Sequence, residues 1–188
     1  MIPANSVSGE LLTRWTVRVA LALYVAALAL RMMGGSGRVA RLAWSTGCMF
    51  FVVHVACAFQ FYHHWSHDAA FAETARQTLE VTGLNWGSGI FANYAFTVLW
   101  LADAACWWAD ARSYLTRSRW IEWAVQGFMA FIAFNATVVF GAGAIRWFGL
   151  AGCALLAAFF WLGRDRAKSP GLHEPTPPQS RADESPRQ

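Results

Sequence analysis

The chain contains few charged residues and a single lysine, and this scarcity is the first guide to its class. Charged side chains make up 14% of the 188 residues, against about 25% in soluble domains. Hydrophobic residues make up 56%, and the mean hydropathy is +0.32. The apolar residues gather in blocks close to the ~20 residues that a helix needs to cross a bilayer. This composition excludes an ordinary soluble domain and predicts a polytopic membrane protein.

Several chemical motifs are also missing. The cysteines contain no CxxC pair, and all of them fall inside predicted spans, which argues against a disulfide framework and a thiol redox motif; they are Cys48, Cys57, Cys106 and Cys153. There is no nucleophile and base pair, no phosphate loop and no full metal signature. The N-terminus has no small-residue cleavage site, so we expect the first apolar block to remain as a span.

The apolar blocks predict an all-α membrane helix bundle with five transmembrane helices. The first block is the weakest, because its uninterrupted apolar part is short and Arg18 and Arg31 would have to extend outward from its ends. We expect a polar N-terminal segment (1–14), a five-span domain (15–163) and a disordered tail rich in Pro, Ser and charge (164–188). The predicted spans are residues 15–33, 42–62, 90–108, 120–139 and 147–162.

A short amphipathic helix is predicted between the second and third spans, over about residues 68–81. Apolar residues recur there at helical spacing, with charged residues elsewhere on the surface. We expect this helix to lie at the membrane interface. The apolar positions are Phe71, Ala72, Ala75 and Leu79, and the charged ones are Glu73, Arg76 and Glu80.

The basic residues predict the orientation. The net charge of +4 comes almost entirely from arginines that flank the apolar blocks, so they indicate topology rather than a nucleic-acid surface. Nine basic residues fall on one side (Arg31, Arg38, Arg41, Arg112, Arg117, Arg119, Arg164, Arg166 and Lys168) and four on the other (Arg14, Arg18, Arg76 and Arg146). This asymmetry predicts an inner-membrane protein with its N-terminus outside and its C-terminus in the cytoplasm.

Four of the five histidines follow or lie within the second span, and three form an H-H-x-x-H pattern: His63, His64 and His67. If the helix continues through them, His63 and His67 share a face, as a pair of metal ligands would. Asp68 and Glu73 would complete a transition-metal site of nitrogen and oxygen ligands. The alternative is that these histidines are interfacial anchors.

The five residues from His63 to His67 resemble one histidine box of the membrane di-iron desaturases and hydroxylases. That family requires several such boxes, and no second box follows His67, so the resemblance does not carry the activity to this chain.

His54 lies near the middle of the second span, where an ionisable group is costly and often functional. Asn135 falls at a similar depth on the fourth span, and Tyr94 falls a little nearer the outer face on the third. The three side chains would form a buried hydrogen-bonded group. A haem ligand is the alternative role of His54, with Met129 or His63 as the second ligand.

Asp103 is the second costly residue, about two turns inside the cytoplasmic end of the third span. Glu122 and Gln126 lie at a comparable depth on the fourth span. With His54 these groups would make a proton path. The alternative is structural pairing, in which an interfacial arginine (Arg112, Arg117 or Arg119) neutralises the carboxylates.

These observations favour a non-catalytic accessory or scaffold protein that contacts the lipid bilayer and other membrane proteins, without nucleic acid. The first alternative is a metal- or haem-linked redox protein that uses the histidine cluster and His54. The second is a small proton-coupled transporter, although no inverted repeat or broken helix supports it.

Overall fold

The computed structural model describes residues 4–35 and 37–168. This part of the chain is helical and contains no strand. Seven α-helices follow in order: α1 (Ala4–Met32), α2 (Gly37–Ala58), α3 (His67–Thr82), α4 (Gly89–Ala109), α5 (Ala111–Leu115), α6 (Arg119–Phe134) and α7 (Ala144–Lys168). A π-helical turn extends α2 (Phe59–His63), and a second one extends α6 (Asn135–Val139).

Five helical segments are long and apolar enough to cross a membrane, which is compatible with an integral membrane protein. The predicted all-α class with five such helices is therefore confirmed. The segments are Ser8–Met32, Gly37–His63, Gly89–Ala109, Arg119–Val139 and Ala144–Leu162.

The first helix begins earlier than the sequence indicated. Residues 4–14, which we expected to form a polar segment, continue α1 without a break. The Thr13 hydroxyl donates to the carbonyl of Gly9 at 2.8 Å, and the Thr16 hydroxyl donates to that of Leu12 at 2.8 Å. Because these hydroxyls bond within the helix, the threonines remain compatible with a buried helix face.

An aromatic cluster fills the centre of the bundle. Tyr24 of α1, Trp44 of α2 and Trp100 of α4 are in mutual contact, with ring centroids 5.4–5.7 Å apart. Phe51 and Phe96 extend the cluster along α2 and α4. Edge and tilted contacts of this kind stabilise the packing beyond the apolar area that they bury.

Close packing of α1 on α2 requires a residue without a side chain at Gly47. A Cβ atom there would lie 3.1 Å from the Trp100 ring and 3.2 Å from the Leu23 Cβ. Trp100 and α1 both occupy this space, so a larger residue would push α2 away from the aromatic cluster.

The second apolar helix ends at His63. His64 and Trp65 both have positive φ values, 48° and 59°, and this left-handed backbone turns the chain away from the helix axis. Helix α3 then starts at His67, where the N-cap Ser66 accepts a hydrogen bond from the Ala69 amide at 3.2 Å. The predicted helix over residues 68–81 corresponds to α3; its interfacial position stays a prediction.

The helices alternate in direction, so the bundle has two distinct ends. The arginine end brings together Arg31, Asp103, Arg117 and Glu122. The histidine end brings together Thr13, His54, His67 and Tyr94.

The last helix continues past the predicted limit of the membrane domain. Helix α7 ends at Lys168, so residues 164–168 are helical, although we expected them to belong to the tail. The remaining part of the predicted disordered tail, 169–188, lies outside the described residues.

Candidate functional site

The most developed polar site in the described chain is a cluster of two carboxylates and two guanidinium groups at the arginine end. Its centre is Asp103 of α4, whose side chain is 2% exposed. The Arg117 Nη1 donates to Asp103 Oδ1 at 2.5 Å, and the Tyr114 hydroxyl donates to Asp103 Oδ2 at 2.7 Å. Both oxygens of this buried carboxylate therefore have a donor.

The second carboxylate of the cluster is Glu122, in the first turn of α6. Arg117 Nε donates to Glu122 Oε2 at 2.5 Å, and Arg31 Nη2 lies 2.8 Å from Glu122 Oε1. The cluster thus ties α1, α4 and α6 together with two positive and two negative charges. Its net charge is zero, which reduces the cost of removing these groups from water.

The connection between α4 and α6 places the donors. Asp110 caps the short helix α5, since its Oδ1 accepts hydrogen bonds from the Arg112 and Ser113 amides at 2.9 and 3.0 Å. The capped turn directs the connection back under α4, where the Tyr114 ring stacks on Trp107 with centroids 4.5 Å apart. Arg117 follows two residues after α5 and reaches both carboxylates.

Aromatic rings line the guanidinium groups. The Arg117 Cζ lies 4.2 Å from the centroid of the Tyr114 ring, and the Arg31 Cζ lies 5.3 Å from that of Trp107. Such contacts favour a desolvated cation. The rings therefore support both arginines where water is scarce.

The connection carries two groups with shifted pKa values. Burial and the hydrogen bond to Asp103 raise the pKa of Tyr114 above its ordinary value. Burial disfavours the charge of Arg117, but hydrogen bonds and charge interactions with Asp103 and Glu122 outweigh it and raise the pKa of Arg117. Tyr114 therefore stays neutral and Arg117 stays charged near neutral pH.

Gln126, which we grouped with Asp103 and Glu122, does not join the hydrogen bonds of the cluster. It lies one turn beyond Glu122 on α6, and its amide nitrogen and oxygen are buried without a partner in the described part of the chain.

His54 occupies a different environment at the histidine end. Its Nδ1 lies 2.9 Å from the backbone oxygen of Thr13. Since a carbonyl oxygen only accepts, Nδ1 carries a proton and donates it to this oxygen. The contact joins the C-terminal half of α2 to the start of α1.

A cavity of about 360 Å³ lies beside His54. Its walls are mostly apolar, and its polar side chains come from α2, α3, α4 and the two π-helical turns. They are His54, His63, Glu73, Thr74, Gln77, Asn93, Tyr94, Thr97 and Thr137.

The predicted group of His54, Tyr94 and Asn135 is not formed. The Tyr94 hydroxyl pairs with His67 Nδ1 at 3.0 Å, and the Asn135 amide donates to the Phe131 carbonyl of its own helix at 2.8 Å. Asn135 is half-buried. Only His54 and Tyr94 face the same cavity.

The predicted helical face of metal ligands is not formed either. The helix ends at His63, so His67 begins another helix and the assumed spacing between the two does not hold. Asp68 lies in the first turn of α3. In residues 4–35 and 37–168, no three His, Cys, Asp or Glu side chains are arranged to hold a metal ion.

Of the haem ligands that we considered, two line one cavity and the third lies in the core. His54 and His63 line one cavity, but they are nine residues apart on a single helical segment, about 13 Å along its axis. Met129 is fully buried and packs in the central core rather than against this cavity.

No polar path joins the two ends among the described residues. Phe51 contacts His54 with centroids 5.8 Å apart, and it also contacts Phe96 and Trp100 at 4.8 and 5.6 Å. These rings separate His54 from Asp103, which lies one turn beyond Trp100 on α4.

Comparison with known proteins found no matching protein family, curated protein or solved structure.

Proposed function

We propose that this chain is a non-catalytic accessory or scaffold subunit of a membrane. The observation that carries the proposal is that every carboxylate oxygen of the arginine-end cluster is paired within the described part of the chain. All four carboxylate oxygens of Asp103 and Glu122 accept from a donor: Arg117 and Tyr114 for Asp103, Arg117 and Arg31 for Glu122. Because each of these oxygens already bonds to a side chain of the same bundle, the two carboxylates are suited to fixing the helices relative to one another.

The orientation belongs to the same proposal. The arginine end faces the cytoplasm, and the histidine end with α3 faces the exterior of the inner membrane. The support is the excess of arginine at the first end, as expected for cytoplasmic loops. Helix α3 lies along the outer surface, and its charged side chains pair with one another: Arg76 bonds to Glu73 at 2.6 Å and to Glu80 at 2.5 Å.

The proposal is tested by purifying the tagged protein from its native membrane in a mild detergent. A scaffold is expected to co-purify with one partner in a constant, near-stoichiometric amount. Its absorption spectrum is expected to show no Soret band, and elemental analysis is expected to show no bound transition metal. A His63→Ala/His67→Ala variant is purified beside it. A metal or haem signal near one per chain that this variant loses would replace the proposal with a redox function.

A second candidate function, proton-coupled transport, is favoured by one observation: the cavity with polar residues beside His54. It requires flux that depends on pH in liposomes and that His54→Gln abolishes. The scaffold proposal expects no flux above that of empty liposomes from either protein.

A further inference from the structure

An apolar groove runs along the outside of the bundle where α1, α6 and α7 meet. It encloses about 310 Å³, and its walls are almost entirely apolar. Small residues on α6 and α7 form much of its floor: Ala130, Ala133, Gly149, Ala151 and Gly152.

Arg18, midway along α1, lines this groove together with Ile145 at the start of α7. It stacks on Trp15, with its Cζ 5.2 Å from the ring centroid, and it has no carboxylate partner among the described residues. Arg14, one turn earlier, is paired with Glu10. The groove therefore has an uncompensated positive charge inside an apolar helix, where an anion would be strongly favoured.

Tyr24 is a second unsatisfied group in the same groove. Its side chain lines the groove and is 3% exposed, and its hydroxyl has no hydrogen-bond partner in the described structure. Cys153 of α7 lines the groove as well. A buried hydroxyl without a partner is unfavourable, so an occupant with an accepting oxygen at this depth would be stabilised.

The dimensions of the groove match one leaflet. Arg18 and Tyr24 are separated by about 9 Å along the helix axis, at 1.5 Å per residue. On α7 the lining extends from Ile145 to Leu156, which is about 16 Å and close to half of the ~30 Å hydrocarbon core.

We infer that this groove binds an anionic glycerophospholipid from the leaflet at the histidine end. Arg18 pairs with the phosphate, the Tyr24 hydroxyl donates to an ester carbonyl below it, and one acyl chain lies along α7. The site depends on insertion of the chain in a membrane and is independent of the accessory role.

The charge contact is tested by native mass spectrometry of delipidated protein in detergent. The probes are phosphatidylglycerol and phosphatidylcholine with identical chains. We expect the wild type to bind phosphatidylglycerol about fivefold more tightly, the factor typical of one basic residue near an anionic headgroup. Arg18→Gln is expected to remove this preference, whereas the matched control Arg14→Gln retains it.

The hydroxyl contact is tested with diester and diether phosphatidylglycerol, since the diether lacks the carbonyl. We expect the wild type to favour the diester about fivefold, as for one hydrogen bond. Tyr24→Phe is expected to lose this difference and keep the preference for phosphatidylglycerol.

The location is tested by filling the groove. Ala130→Phe is expected to abolish the retained lipid, while Ala124→Phe, on α6 outside the groove, leaves it bound; circular dichroism confirms that both remain helical. Equal binding of the two headgroups by the wild type, or an Arg18→Gln variant that keeps the preference, would overturn the inference.

Discussion

Removing Arg117 is expected to destabilise the bundle more than any other single change at the arginine end. Among the described residues, Arg117 alone bonds to both Asp103 and Glu122, and its side chain is 15% exposed. Removing one partner of a buried ion pair typically costs about 3–5 kcal/mol, because the remaining charge stays buried without compensation. Glu122 keeps Arg31 and is 29% exposed, so most of the cost arises at Asp103, and we expect about 3 kcal/mol for Arg117→Gln.

The assay is thermal unfolding in detergent, followed by circular dichroism. A loss of 3 kcal/mol corresponds to a decrease in Tm of about 6–12 °C for a chain of this length. The control Arg119→Gln removes an exposed arginine outside the cluster, and it is expected to change stability by less than about 0.5 kcal/mol. The double variant Asp103→Asn/Arg117→Gln is expected to recover at least about 1.5 kcal/mol through coupling. Equal Tm values for Arg117→Gln and Arg119→Gln would refute the reasoning.

Three further outcomes follow from other contacts. Tyr114→Phe removes one hydrogen bond to a carboxylate and is expected to cost about 1.5–3 kcal/mol; an unchanged Tm would contradict this. His54→Ala is expected to cost only about 0.6 kcal/mol, a typical value for an interhelical hydrogen bond in a bilayer; complete loss of folded protein would show a larger role. Hydrogen bonds from Arg76 lower the pKa of Glu73. The stabilisation from this pair is therefore fully present above the ordinary carboxyl pKa, and it is lost as the pH falls through the lowered pKa of Glu73. NMR titration should therefore show a higher Glu73 pKa in Arg76→Gln, and an unchanged value would exclude the pair as its cause.

The span positions could be predicted from the sequence because they follow from the apolar blocks alone. The blocks around the third and fourth spans, predicted at 90–108 and 120–139, agree with Gly89–Ala109 and Arg119–Val139. The start of α1 could not be found in this way, because residues 4–14 are polar and mixed, and only the structure shows that the Thr13 hydroxyl bonds within the helix.

The cluster was predictable only in part. The sequence identified two of its members, Asp103 and Glu122, by their depth in the spans. It also predicted that an arginine of the following connection would neutralise them, and that arginine is Arg117. Arg31 and Tyr114 were missed as partners, because a contact between the end of α1 and the start of α6 depends on tertiary packing. The position of Arg31 at the end of the first span was the available signal.

The histidine end was predicted least well. The prediction that His63 and His67 share a face assumed a continuous helix. His64 and Trp65 instead adopt a left-handed backbone. This conformation is uncommon for residues other than glycine. His54 has a backbone oxygen of Thr13 as its partner, and residue patterns carry little information about a contact with a distant carbonyl.

Cysteine accessibility tests most directly the central claim of five crossings with the histidine end outside. Single cysteines replace the exposed Asp68, Ser113 and Ala142 in a chain whose own four cysteines are changed to alanine. A membrane-impermeant maleimide is then applied to intact spheroplasts. The account predicts labelling at positions 68 and 142 in intact spheroplasts and at position 113 only after lysis. Labelling of position 113 together with position 68 before lysis would contradict it.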